Sequence, residues 1–357
     1  MPNQIIFRAD ASVEIGTGHI MRCLTLAQAL QQQGHHVQFI CRQLPGNLIQ
    51  WLQDEKQMPV HPLPPDINLQ TDADLTQAFL KDQSVDWVVV DHYALDATWE
   101  SVVKAATQNL MAIDDLANRS HEVDVMLNQN LMEKGPAAYQ GWVPDTCQVL
   151  CGPQYALLRP VFASYRKPLP QKSAPPSHLL MSFGGSDPTG ESLKAIQAVG
   201  PLTAEGITLE TIVGLTNPRA QEINAMATQY ANIHCYDYVD NMAQKMATAH
   251  LFIGAGGTTS WERCCLGLPS VILSLADNQT EICQSLHHVG AAHYLGVAHQ
   301  TSAHDIQAAV MTYMNDPSAL ITMSNAASAL VDGQGCSRVI QVMREIEQSN
   351  HKEGLTV

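Results

Sequence analysis

The sequence predicts an α/β chain of two doubly wound parallel-sheet domains. Short apolar runs alternate with longer segments of helical period, and the alternation breaks at a proline-rich stretch and then restarts. The run Asp86–Asp91 (DWVVVD) also has the nearly all-apolar interior of a strand covered on both faces.

The first strand is Ile5–Phe7. A helical segment from about Gly18 to Gln33 follows, with Ile20, Cys23, Leu24, Ala27 and Leu30 at three-to-four spacing, and Gly34 ends it. Val37–Cys41, Asp86–Asp91, Leu110–Ile113 and Val125–Leu127 continue the strand series. Residues 160–177 (PVFASYRKPLPQKSAPPS) carry five prolines and no apolar period, which reads as a linker. The alternation resumes with Leu179–Phe183, Leu209–Val213, Leu251–Ile253 and Val271–Leu273. The expected domains are 1–162 and 178–349, with a linker at 163–177 and a frayed tail at 350–357. The last helical stretch, about Cys336–Glu347, is long enough to cross back to the first domain. Ligands of open α/β sheets sit beyond the carboxyl ends of the strands, so the expected site is the cleft between the two domains.

Composition narrows the function. With 45% apolar and 15% charged residues in 357, the chain is far from the disordered class. A formal net charge of −15 counts against a nucleic-acid partner, yet backbone N–H groups can still hold a small anion. The nine cysteines are an odd number without a repeated C-x-x-C, which argues against a disulfide framework and a structural zinc. Gln4–Phe7 is a strand rather than a secretion signal, and no run approaches the ~18 apolar residues of a membrane span. The expectation is a cytoplasmic protein without membrane attachment.

Three glycine-containing loops follow strands and open helices. In RADASVEIGTGH (8–19), Gly16 and Gly18 permit a tight turn, and His19 falls in the first turn of the helix. The helix start disfavours an imidazolium there, whereas a bound diphosphate favours one. Asp10 is the expected partner of the second ring nitrogen. The plainer reading makes His19 a helix cap. In SFGGSDPTG (182–190), Gly184 and Gly185 precede a helix that Ser186 or Asp187 can cap, with Pro188 in its first turn. The loop lacks the Gly-Lys-Ser/Thr ending of a P-loop and is equally an ordinary turn. The third loop, GAGGTTSWER (254–263), is the most specific. Gly256, Gly257, Thr258, Thr259 and Ser260 supply N–H and hydroxyl donors, and Glu262, one turn in, suits a ribose diol.

Polar residues close other strands: Asp91-His92-Tyr93, Asn128 with Asn130, and Ala276-Asp277-Asn278-Gln279. Each is placed for a substrate contact, and each is also an ordinary turn residue. The histidine pairs His35-His36 and His287-His288 lack metal-ligand spacing and read as surface.

The order of buried strand, Gly-Ala-Gly-Gly-Thr, Glu262 and Gly267-Leu268-Pro269 resembles the nucleotide-binding half of GT-B glycosyltransferases of the MurG type. Within that superfamily, FRADAS with IGTGHIMRCL (7–24), VDHY (90–93), CGPQYALLR (151–159) and FGGSD (183–187) resemble the UDP-2,4-diacetamido-2,4,6-trideoxy-β-L-altropyranose hydrolases of pseudaminic acid biosynthesis. The resemblance implies a GT-B fold, with two Rossmann-like domains and UDP held mainly by the second. It implies release of UDP and 2,4-diacetamido-2,4,6-trideoxy-L-altrose by water attack at C1, with inversion, without metal or cofactor.

By the same resemblance, His19 orients or deprotonates the water, and Tyr93 and Asn278 lie near the sugar. Glu262 binds ribose, Gly257, Thr258 and Thr259 the diphosphate, and Val239 the uracil through its backbone. Arg159 is a further ligand contact, and Gly16, Gly18, Gly184, Gly185 and Ser186 line the site. The Gly-Gly-Thr-Thr loop departs from the Ser- or Ala-containing loops of some relatives, which leaves its individual diphosphate contacts open. The implied partner is a small-molecule UDP-sugar, with a monomer as the working state. The alternatives are a GT-B glycosyltransferase, a hydrolase of another UDP-sugar, and a non-catalytic UDP-sugar-binding module. The chain has no basic, apolar stretch suited to membrane docking, which favours water as acceptor.

Overall fold

The computed structural model describes residues 2–166, 175–187 and 189–354, and they form two compact units. Unit 1 comprises residues up to Leu158 and those from Gln334 onward. It runs β1 (Gln4–Ala9), α1 (Gly18–Gln32), β2 (His36–Arg42), α2 (Ile49–Asp54), β3 (Val60–Leu63), α3 (Leu69–Lys81), β4 (Trp87–Asp91), α4 (Ala97–Lys104), β5 (Asn109–Ile113), β6 (Val125–Asn128) and β7 (Gln148–Cys151). Its strands form one parallel sheet in the order β3-β2-β1-β4-β5-β6-β7.

Strand alternation divides the core of this unit between the two sheet faces. Ile5, Phe7 and Ala9 pack with Phe39 and Trp87 against α1 on one face. Ile6, Val88 and Val90 pack with Leu80 and Trp99 of α3 and α4 on the other. The chain's last helix, Gly335–Gly354, joins the first face through Val339, Ile340 and Met343. Burying each such side chain contributes about 1.5–3 kcal/mol, which holds the helix to unit 1. Glu347 adds polar anchors, accepting from the Trp87 indole and the Asn3 amide at 2.6 Å each.

Unit 2, Arg159–Gly333, begins with α5 (Pro160–Tyr165) and β8 (His178–Ser182). It continues through α6 (Glu191–Val199), β9 (Thr208–Ile212), α7 (Ala220–Ala227), β10 (Ile233–Tyr236), α8 (Met242–Thr248), β11 (Leu251–Ala255) and α9 (Thr259–Leu266). The remainder is β12 (Ser270–Ser274), α10 (Asp277–His288), β13 (His293–Val297), α11 (Ala303–Asn315) and α12 (Pro317–Leu330). Its parallel sheet runs β10-β9-β8-β11-β12-β13 around Leu179, Met181, Leu209, Ile253 and Val271.

The unit limits differ from the expected domains. The segment 160–165 is helical rather than linker, and Arg166 ties it to unit 2 by donating to the Val331 and Ser328 carbonyls. Within the expected linker, residues 167–174 lie outside the described residues, as does Pro188. The C-terminal helix returns to unit 1 instead of completing the second domain, because its apolar face matches the β1 side of the first sheet. That helix also runs into the expected tail as far as Gly354. All nine cysteines are free thiols. Among the described residues no helix is long and apolar enough to cross a membrane, and no group of His, Cys, Asp and Glu is arranged to hold a metal ion.

Candidate functional site

In unit 1 the order of connection reverses at β1, which lies between β2 and β4. The loop after such a switch strand opens outward beyond the sheet. Here it is the segment 11–17, pinched by an antiparallel bridge between Ser12 and Gly16. Gly16 has φ +77°, a conformation costly for other residues, and its N–H donates to the Ser12 carbonyl at 2.9 Å. Gly18 is the first residue of α1, and His19 follows it, buried at 6% exposure.

The His19 ring is held from the neighbouring strand. Its Nδ1 lies 2.6 Å from Oδ1 of Asp91, the last residue of β4. Burial alone raises the Asp91 carboxyl, but Arg22 and then His19 hold it well below the usual carboxylate range. An ionised carboxylate only accepts, so the hydrogen sits on Nδ1, and in the neutral form of the ring the lone pair is on Nε2. Arg22, one turn on, donates to both Asp91 oxygens, at 2.5 and 2.7 Å, and through Nη1 to both Asp115 oxygens, at 2.9 and 2.8 Å. Asp115 in turn accepts from the Tyr93 hydroxyl at 3.2 Å and the Asn130 amide at 3.1 Å. Tyr93 stands edge-on to His19, ring centroids 4.6 Å apart, and its phenol is pushed up to about 12 by burial and by Asp115.

Asp10 does not reach His19, contrary to the sequence expectation. The side chain of Asp10 points into a separate buried cluster, where it pairs with Arg8, Arg42 and His92. Strand geometry explains this: Asp10 continues the line of β1, whereas Asp91 on the adjacent strand reaches the ring over α1. His92 is likewise turned inward, with Nε2 toward Asp10 and Nδ1 accepting from the Ala94 N–H at 3.0 Å. Of the strand-end residues in this unit, Asp91, Tyr93 and Asn130 belong to the His19 network. Asn128 instead donates to the Tyr139 hydroxyl and accepts from the Asn130 N–H.

In unit 2 the corresponding reversal is at β8, flanked by β9 and β11. Gly184 (φ +91°), Gly185 and Ser186 are exposed just beyond β8. A side chain at Gly214 would meet the Gly185 carbonyl at 2.3 Å, so the two loops approach through glycine alone. α6 starts later than expected, with Gly190 at its N-cap, and Asp187 reaches its first turn from three residues before that cap, accepting from the Glu191 and Ser192 N–H groups at 2.8 and 2.9 Å.

After β11, the Gly256 N–H is taken by the Leu273 carbonyl and the Ser260 N–H turns back to Gly257. Among the described residues the N–H groups of Gly257, Thr258 and Thr259 have no such partner and remain available as donors. The Glu262 carboxyl makes no hydrogen bond among the described residues, and burial pushes it up to about 7 against the pull of Arg159 and Arg263. Arg159, at the start of α5, lies over the Phe162 ring at 5.3 Å. Asn278 is exposed in the first turn of α10, and the next residue, Gln279, lies against Gly257. Val239 is half-buried in the segment joining β10 to α8. Unit 1 therefore assembles Gly16, Gly18, His19 and Tyr93. Unit 2 carries the other expected site residues, Arg159 at the start of α5 and the rest beyond the carboxyl ends of its strands.

Sequence reading missed Arg22, Asp115 and Arg263. The Asp114-Asp115 pair directly after a buried strand was the available signal for the second.

Residues 179–336 match the glycosyltransferase family 28 C-terminal domain. The UDP-2,4-diacetamido-2,4,6-trideoxy-beta-L-altropyranose hydrolase of Campylobacter jejuni is 29% identical over 70% of this chain and 84% of its own length. The spore coat polysaccharide biosynthesis protein SpsG of Bacillus subtilis is 22% identical over 95% of this chain and 97% of its own. Among solved structures, Acinetobacter baumannii MurG superposes with a TM-score of 0.71 at 15% identity, over 96% of this chain and all of that one. A UDP-GlcNAc 2-epimerase from Neisseria meningitidis gives a TM-score of 0.62 at 12% identity, over 97% and 100% of the two chains. Two parallel-sheet α/β units of MurG-like build, with residues 179–336 matching the glycosyltransferase family 28 C-terminal domain, give this chain a GT-B fold.

Proposed function

We propose that this chain is a hydrolase of UDP-2,4-diacetamido-2,4,6-trideoxy-β-L-altropyranose, releasing UDP and 2,4-diacetamido-2,4,6-trideoxy-L-altrose. The observation that carries the proposal is the His19–Asp91 pair, which positions the ring and leaves Nε2 as its proton-accepting nitrogen. The named hydrolase among the relatives supports the substrate class.

In this reading unit 1 supplies the base and unit 2 the nucleotide site. A water oxygen attacks C1 with inversion while His19 Nε2 takes its proton, and Asp91 stabilises the imidazolium that forms. General-base assistance of this kind is worth ~10²–10⁴-fold. The bond from C1 to the β-phosphate oxygen breaks, and UDP leaves with the electron pair. The N–H groups of Gly257, Thr258 and Thr259 stabilise its charge, a contribution of ~10²–10³-fold per positioned donor. Glu262 binds the ribose hydroxyls, Val239 the uracil, and Arg159, Gly184, Gly185 and Ser186 complete the nucleotide contacts. Tyr93 and Asn278 contact the sugar. The reaction assigns no role to a metal and would place the protein in pseudaminic acid biosynthesis, in the cytoplasm, as a monomer.

The test is incubation with the UDP-sugar in ¹⁸O-labelled water, followed by proton and phosphorus NMR and mass analysis. The label is expected at C1 of the free sugar, and His19→Gln is expected to lose at least ~100-fold in kcat. Label in the UDP phosphate, or a folded His19→Gln protein with wild-type turnover, would sink the mechanism. Release of UDP only when a sugar acceptor is added would establish a glycosyltransferase instead, the reading favoured by the family 28 match.

A further inference from the structure

Arg263 lies one turn into α9 and is 2% exposed. Side chains on a helix lean toward its N-terminus, so the guanidinium reaches back beneath the loop that opens α9. Its Nη1 donates to the Thr259 hydroxyl at 3.1 Å and its Nη2 to the Ser260 hydroxyl at 2.9 Å. The Phe252 ring lies against it, 4.3 Å from Cζ to centroid. Among the described residues, no carboxylate comes within ion-pair distance of it.

The surrounding groups supply little compensating charge. Cys264 and Cys283 are pushed up to about 12 by burial and are neutral thiols. Glu262 attracts Arg263 from farther away, and burial raises that carboxyl as well. Burial lowers the guanidinium itself to about 10. A buried positive charge held by two neutral hydroxyls is costly in the free protein.

The hydrogen-bond directions show what the arrangement is built to do. A hydroxyl has one hydrogen, and an oxygen that accepts from a guanidinium must send that hydrogen elsewhere. Ser260 is buried, but Thr259 is exposed beside the free N–H groups of Gly257 and Thr258. Its hydroxyl is therefore turned outward as a donor, with a cation behind it.

We propose that Arg263 is a positioning residue for a nucleoside diphosphate, orienting the Thr259 hydroxyl toward the phosphates and supplying the buried charge that they neutralise. The inference deepens the nucleotide site of the proposed function and rests on it.

Calorimetry with UDP and with uridine, on the wild type, Arg263→Met and Arg263→Lys, tests it. Arg263→Met should lose ~10–100-fold in UDP affinity, the worth of a hydrogen bond to a charged group, with uridine affinity within ~3-fold. Arg263→Lys keeps the charge without the two-pronged contact and should fall between. Ligand-free Arg263→Met should melt no lower than the wild type, because it removes a charge without an ion-pair partner. If UDP binds Arg263→Met as tightly as wild type, or UDP and uridine affinities fall together, the inference is overturned while the nucleotide site stands. A wild type that binds neither UDP nor uridine overturns the site itself. If Arg263→Met does not fold, Arg263→Lys decides: undiminished UDP affinity there overturns the inference, and a selective loss of UDP supports it.

Discussion

His19 Nδ1 and Asp91 Oδ1 lie 2.6 Å apart, joining the first turn of α1 to the end of β4. Arg22 donates to both oxygens of the same carboxylate, so Asp91 has both oxygens filled and one orientation. The pair fixes which imidazole nitrogen carries the hydrogen. Asp91→Asn is therefore expected to invert the tautomer, because an amide placed against His19 donates to Nδ1. Nitrogen-15 NMR of the histidine rings, with His19 assigned by its loss in His19→Gln, should show the hydrogen moving to Nε2. Turnover should fall by ~10⁴-fold, the scale seen when an orienting aspartate is amidated in a serine-protease triad. An unchanged His19 spectrum in Asp91→Asn would remove Asp91 from this role.

Arg8 is fully buried between Asp10 and Asp72, donating to both carboxylates at 2.6–3.2 Å. Arg8→Met should destabilise unit 1 by about 3–5 kcal/mol, because it strands buried carboxylates rather than merely losing a contact. Asp10 is held well below its usual value of 3.8: burial raises it, but Arg8 and hydrogen bonds from His92, Arg8 and Arg42 outweigh that. A depressed carboxylate contributes stability that is complete above the unfolded value and is lost as pH falls toward the folded one. The gap between wild type and Arg8→Met should thus be constant near neutrality and narrow below about pH 4. Urea denaturation at several pH values measures both, and equal midpoints at pH 7 would contradict the assignment.

Glu262 has the opposite sign. Its carboxyl is raised by burial from 4.5 to about 7, so its contribution to stability is complete below 4.5 and is lost as pH rises through about 7. Glu262→Gln should melt with the wild type near pH 4.5 and above it at pH 8. Glu262→Ala should weaken uridine and UDP alike by ~10–100-fold, since the ribose is common to both. Selective loss of UDP alone would take Glu262 off the ribose.

A side chain at Gly256 would lie 2.0 Å from the Cys283 sulfur. Gly256→Ala should cost about 1–3 kcal/mol through overpacking. Cys283→Ala removes the obstructing atom, so the two substitutions together should cost less than their separate effects summed. Strict additivity in thermal denaturation would show that the clash is relieved elsewhere.

How much of this was legible in the sequence depended on range. The interior strands were readable because a parallel strand buried on both faces is a run of apolar residues, as in WVVVD. The strands absent from the sequence reading are β3, β7, β10 and β13, which occupy the four sheet edges. Edge strands have one side unpaired, so sequences such as VHPL and HYLGV lose the apolar signature. The three glycine loops were legible as well, since each sits at a strand end before a helix.

By itself the sequence determined the βα alternation, the loops that open the helices, and the presence of His19, Glu262 and the loop donors among them. These follow from local rules of period, φ and helix termini, which act within a few residues. Only the tertiary structure decided the partners: Asp91 rather than Asp10 for His19, Asp115 for Arg22 at a separation of 93 residues, and the return of the last helix to unit 1. The physical reason is that pairing a buried charge depends on which strand lies beside which, and strand order is settled by packing across the whole sheet.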